Sequence, residues 1–141
     1  MQLDFAKLDG LVPAIVQDAA SGEVLMLGFM NEQAYRETRT SGEVTFFSRT
    51  RNKLWRKGEQ SGHVLRVREV RVDCDGDTVL VRAELVGPGV CHEGYRSCFF
   101  RRLDPDGSTE VLAARTFDPA AVYSSGRAAS TARTRREGSK P

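Results

Sequence analysis

The 141-residue sequence has no apolar run near the ~20 residues that a membrane-spanning helix needs, so a helical membrane protein is excluded. Its opening, Met1-Gln2-Leu3-Asp4-Phe5, offers no basic stretch followed by an apolar one. No export signal is therefore expected, and the expected location is the cytoplasm. Cysteine is scarce and odd in number, with three, which does not suit a secreted disulfide framework. Histidine is scarcer, with two, and tryptophan occurs once. Neither charge sign dominates, since 21 Lys and Arg face 19 Asp and Glu. With 40% hydrophobic and 28% charged residues the chain reads as globular, which excludes fibrous and wholly disordered classes. Its length suits one domain with a sizeable core.

The charge is unevenly spread. Arg127, Arg133, Arg135, Arg136 and Lys140 meet one acid, Glu137, after Tyr123. The body, 1–123, is left slightly acidic. The stretch 124–141 is rich in Ser, Ala, Gly and Arg without apolar periodicity, and is expected to be a disordered basic tail.

The body reads as strands with one helix. Leu11–Asp18 and Glu23–Met30 flank the turn Ala19-Ala20-Ser21-Gly22 and suggest a hairpin. Asn31 is a good N-cap for a helix that runs to about Thr40 and stops at Ser41-Gly42. Val44–Ser48 is β-branched and aromatic. The segment Arg49–Gly62 is polar and reads as a loop. Val64–Val72 and Thr78–Leu85 alternate apolar with charged residues, as half-buried strands do. Ser97–Leu103 is expected to be a last core strand, followed by a turn at Asp104-Pro105-Asp106-Gly107. The expected class is α+β, a strand-rich single domain with one clear helix.

Three segments carry chemistry. In Asp73-Cys74-Asp75-Gly76-Asp77, extended backbone would put three carboxylates on one side and the thiol on the other. A hard cation such as Mg²⁺ relieves the repulsion between them. The alternative is a solvated acidic turn. A calcium EF-hand is disfavoured, because its sixth position would be Thr78 where Gly is needed. In Cys91-His92-Glu93-Gly94-Tyr95-Arg96-Ser97-Cys98, two thiols join Cys74 to make three within 25 residues. Three ligands and an open position suit catalytic zinc, while the alternative is inert buried thiols. His92 is a candidate fourth ligand or a proton carrier. From Arg49 to Lys57, the five cations Arg49, Arg51, Lys53, Arg56 and Lys57 surround Trp55 with no acid among them. Such a loop suits a phosphorylated ligand, a solvated surface or nucleic acid.

These elements in this order closely resemble the phosphoribosyl-AMP cyclohydrolase family of histidine biosynthesis. The resemblance rests on Trp55–His63, on Asp73–Asp77, on Cys91-His92 with Arg96-Ser97-Cys98-Phe99, and on Leu25–Asn31 upstream. It spans roughly 10–103, and Gly87-Pro88-Gly89-Val90 is less compact than is usual in the family. The tail is too short and too polar for the pyrophosphohydrolase domain that some relatives carry. The resemblance implies hydrolytic opening of the purine ring of 1-(5-phosphoribosyl)-AMP at the N1–C6 bond. It implies one Zn²⁺ per subunit on Cys74, Cys91 and Cys98, and Mg²⁺ on Asp73, Asp75 and Asp77. It also implies an intertwined homodimer with zinc ligands drawn from both subunits. His63 and His92, the only histidines, are the expected acid and base. Arg49, Arg51, Lys53, Arg56 and Lys57 are the expected partners of the two substrate phosphates. Neither a membrane nor a nucleic acid is expected as partner. A nucleobase deaminase is disfavoured, since those sites show H-x-E with P-C-x-x-C and this chain has neither.

Overall fold

The computed structural model describes residues 2–123. The expected tail, 124–141, lies outside the described residues. The chain is a strand-rich α+β domain. A short 3₁₀ turn, Ala6–Leu8, precedes β1 (Val12–Asp18) and β2 (Val24–Met30). Helix α1 (Glu32–Ser41) leads to the hairpin β3 (Thr45–Ser48) and β4 (Lys53–Arg56). Then come β5 (Leu65–Val72), β6 (Val79–Leu85), β7 (Arg101–Leu103), β8 (Thr109–Val111) and the single turn α2 (Pro119–Tyr123).

Four strands form one mixed sheet in the order β2-β1-β6-β5, with β1 and β6 parallel and the outer pairs antiparallel. The hairpins β3-β4 and β7-β8 are separate two-stranded sheets. Alternation in β1 sends Val12, Ala14 and Val16 into the core, where they meet Leu25, Val79, Val81 and Ala83. Helix α1 and the β3-β4 hairpin close that face through Ala34, Val44 and Phe46. Gly28 sits within β2 because a Cβ there would lie 2.5 Å from the Phe46 ring. Losing that ring is expected to cost ~3–5 kcal/mol.

The Asn31 side chain accepts the Ala34 N–H at 2.8 Å, so the expected cap starts α1. The buried Thr38 hydroxyl accepts the Thr45 N–H at 3.0 Å and ties the helix to β3. Gly42 ends the helix, as its sequence position indicates.

Two segments differ from expectation. The loop 49–62 contains β4, which pairs Trp55 opposite Phe46 and so half-buries the indole. Cross-strand aromatic packing outweighs the polar composition there. The segment 97–103 is not a core strand. Only Arg101–Leu103 is extended, it pairs with β8 alone, and Phe99 and Leu103 are exposed. Phe100 turns inward, stacking on Tyr95 at 3.6 Å between ring centroids. Among the described residues no helix is long and apolar enough to cross a membrane.

Candidate active site

The acidic turn joins β5 to β6. The Asp73 N–H donates to the Thr78 carbonyl at 3.1 Å, and Asp73 Oδ1 accepts the Asp77 N–H at 3.1 Å. The turn brings carboxylate oxygens of Asp73, Asp75 and Asp77 within 4.8 Å of one another, the one such cluster of three among the described residues. Lys7 reaches over from the 3₁₀ turn, with Nζ 3.3 Å from Asp75 and 3.2 Å from Asp77. Cys74 is exposed beside them.

Cys91 and Cys98 lie elsewhere. The loop that holds them is fastened to the start of β2, where the Cys98 N–H donates to the Leu25 carbonyl at 2.8 Å. Ser97 Oγ donates to the Val24 carbonyl at 2.8 Å, and Arg96 pairs with Glu23 and Asp18. Cys91 is buried, and its thiol is lowered to about 6. The first cause is the hydrogen bond from the Cys98 thiol, helped by the backbone N–H groups of Glu93 and Tyr95 against the opposing effect of burial. A thiolate is therefore stabilised where a soft metal could take it. The two thiols stand at the C-terminal end of β6, whereas Cys74 precedes its first residue. The length of β6, seven residues or ~20 Å at ~3.3 Å per residue, runs between the two places. One chain thus brings together two of its three thiols.

His63 stands beside the thiol loop, with Nδ1 3.0 Å from the Gly89 carbonyl oxygen. His92 is partly exposed, with Nε2 3.9 Å from Glu93. The five cations separate. Arg49, Arg51 and Lys53 are exposed on the β3-β4 hairpin, and Arg49 stacks on Phe29 at 4.1 Å. Arg56 pairs with Glu43 at 3.1 Å. Lys57 is buried, and its Nζ donates to the Val90 carbonyl at 2.6 Å, next to Cys91. Nothing in the basic run marks its last member, Lys57, as one that turns inward.

Three further residues reach the site without a motif. Lys7 meets the acidic turn, and Phe117 packs edge-on against His63 at 4.8 Å. Burial pushes the Tyr123 phenol up, Ser61 opposes this by a hydrogen bond, and the two thiols raise it further. None has an unusual neighbourhood in sequence, so only folding reveals them.

The phosphoribosyl-AMP cyclohydrolase family model matches residues 26–100. The phosphoribosyl-AMP cyclohydrolase of Solibacter usitatus is 61% identical over 123 residues, covering 87% of this chain and 97% of that protein. The chain belongs to the phosphoribosyl-AMP cyclohydrolase family. The cyclohydrolase of Desulforapulum autotrophicum is 53% identical over 123 residues, 87% of this chain and 98% of its own. That of Pelotomaculum thermopropionicum is 55% identical over 114 residues, 81% and 88% of the two chains. The family is one of hydrolases in histidine biosynthesis. All three thiols, the acidic turn and both histidines fall within the matched residues.

Proposed function

We propose that the chain hydrolyses 1-(5-phosphoribosyl)-AMP, adding water at C6 of the purine so that the N1–C6 bond breaks. The oxygen becomes the carbonyl of the carboxamide. One water proton ends on N1 and the other on the exocyclic nitrogen. The observation that carries this reading is the Cys91–Cys98 pair, a stabilised thiolate beside a second thiol, with His63 packed against the same loop through the Gly89 carbonyl.

The donor set fits the two implied metals. Thiolates suit zinc, and clustered carboxylates suit magnesium. Cys91 and Cys98 would hold zinc together with Cys74 of the partner subunit. The separation of Cys74 from the other two thiols supports a homodimer with sites between subunits. So does the face of the sheet opposite the core, where Leu27, Ile15 and Leu80 lie side by side on three strands. Leu27 is 40% exposed there, an apolar edge for a second copy to cover. Bound zinc supplies water of lowered pKa near neutral pH. Three thiolates leave that water less acidic than three imidazoles would, so a protein base matters. His63 and His92 share the proton transfers, help worth about 10²–10⁴-fold in rate. Asp73, Asp75 and Asp77 would hold magnesium near a substrate phosphate, with Arg49, Arg51 and Lys53 as counter-charges. Arg56 is already paired with Glu43, and Lys57 is turned inward to the Val90 carbonyl.

The test is absorbance-monitored ring opening of phosphoribosyl-AMP by chelator-stripped protein. Turnover should vanish on stripping and return with Zn²⁺. Folded protein that stays inactive with both Zn²⁺ and Mg²⁺ present overturns the reading.

A further inference from the structure

His63 is held from three sides. Its Nδ1 lies 3.0 Å from the Gly89 carbonyl oxygen. A carbonyl only accepts, so Nδ1 bears the proton and the lone pair of the neutral ring is on Nε2. Gly87, at φ +116°, lies against the ring, and a Cβ there would stand 2.7 Å from Cδ2. Phe117 meets the imidazole edge-on, at 4.8 Å between centroids and 87° between planes.

Phe117 is itself fastened. The Thr116 and Phe117 N–H groups donate to the Gly94 carbonyl at 2.8 and 3.3 Å. Thr116 Oγ1 donates to the Pro88 carbonyl at 2.9 Å, and Arg115 Nε to the Glu93 carbonyl at 2.7 Å. Residues 115–117 form a strap that grips both flanks of the loop bearing Cys91. These residues lie beyond the stretch matched by the family model.

We propose that Phe117 is a positioning residue that holds His63 as its Nδ1–H tautomer, so that Nε2 is the base of the hydrolysis. This rests on the cyclohydrolase reading. Nε2 takes one proton from the attacking water as its oxygen bonds to C6. The resulting imidazolium keeps its Nδ1–H on Gly89 and passes the Nε2 proton to the exocyclic nitrogen, which takes up the electron pair of its double bond to C6. The N1–C6 bond then breaks as the remaining hydroxyl proton passes to N1 and the oxygen becomes the carbonyl. Removing Phe117 leaves the ring free to turn or to exchange tautomers, and a misplaced base costs rate rather than binding.

The chain has two histidines, so long-range ¹H–¹⁵N spectra of the zinc-loaded, histidine-labelled protein resolve both rings. His63 is expected as Nδ1–H in the wild type and as a mixture in Phe117→Ala. The kcat of Phe117→Ala should fall about ten- to a hundredfold, with KM and bound zinc unchanged, and Phe117→Tyr should restore it. Should Phe117→Ala lose its fold or its zinc, Gly87→Ala presses on the ring from the other side and should give the same tautomer shift and kcat loss. A wild-type His63 found as Nε2–H overturns the proposal, as does a folded variant with unchanged tautomer and rate. Wild-type protein that shows the expected tautomer but no ring opening overturns the cyclohydrolase reading instead.

Discussion

Lys7 Nζ stands 3.2 Å from Asp77 Oδ2 and 3.3 Å from Asp75 Oδ2, so an internal cation occupies the mouth of the acidic turn. The Asp4 N–H donates to the Gly76 carbonyl at 2.7 Å and docks the same N-terminal segment there. A divalent cation and the ammonium compete for the same oxygens. Lys7→Ala is expected to tighten Mn²⁺ or Mg²⁺ binding roughly two- to fivefold, the scale of an exposed ion pair. Titration calorimetry reads this, and weaker binding in the variant overturns it.

Metal-stripped protein should keep one thiolate well below the ordinary thiol range. The Cys91 pKa is lowered to about 6, so its charged form is favoured in the folded state. The stabilisation this confers is fully present above the pKa of the unfolded thiol and is lost as pH falls through about 6. Thiolate absorbance should therefore fall with a midpoint near 6, and Cys91→Ser should abolish that step. Retention of the step in Cys91→Ser would assign it to another group.

If the third zinc ligand comes from the other subunit, two dead variants should rescue each other. Cys74→Ser and Cys91→Ser should each be inactive. Refolded together in equal amounts, half of the dimers are mixed, and each mixed dimer holds one intact site. About a quarter of wild-type activity should return. A mixture as inactive as its components places all three thiols in one chain.

The apolar stripe of the open sheet face makes a separate prediction. Leu27→Lys places a charge opposite Ile15 on that face. The variant should sediment as a monomer and lose zinc-dependent turnover while keeping its circular dichroism. A stable dimer would move the interface to another surface.

Asp18 anchors the thiol loop through Arg96, at 3.3 Å, and accepts from Ser21 Oγ at 2.6 Å and from the Ser21 N–H at 2.8 Å. The Ser21 hydroxyl is the first cause that holds its carboxyl below the ordinary value of 3.8, with burial opposing. Its stabilising effect is present above the unfolded pKa and disappears as pH falls below it. Asp18→Ala should cost about 1–3 kcal/mol at neutral pH, read by urea denaturation, and little at strongly acid pH. An equal loss at both pH values points to packing rather than charge.

Much of this enzyme was legible in its residues. The cap at Asn31, the stop at Gly42 and the paired strands of β5 and β6 are local matters. They depend on backbone propensities and alternation that neighbours in sequence can decide. Cys74, Cys91 and Cys98 and the carboxylates Asp73, Asp75 and Asp77 stand out as candidate metal donors by residue type, because metal chemistry admits few side chains. The apolar run at Phe99-Phe100 misled, since period alone cannot say whether a strand has a sheet to join. Tertiary structure alone decided that Cys74 lies at the other end of β6 from its fellow thiols, that Lys57 turns inward to Val90, and that Phe117 meets His63. Those relations join residues 17 to 54 positions apart, as when Lys57 reaches Val90 from 33 positions away. They are fixed by where the β1-β6 pairing and the loop contacts bring the backbone, which no local preference encodes.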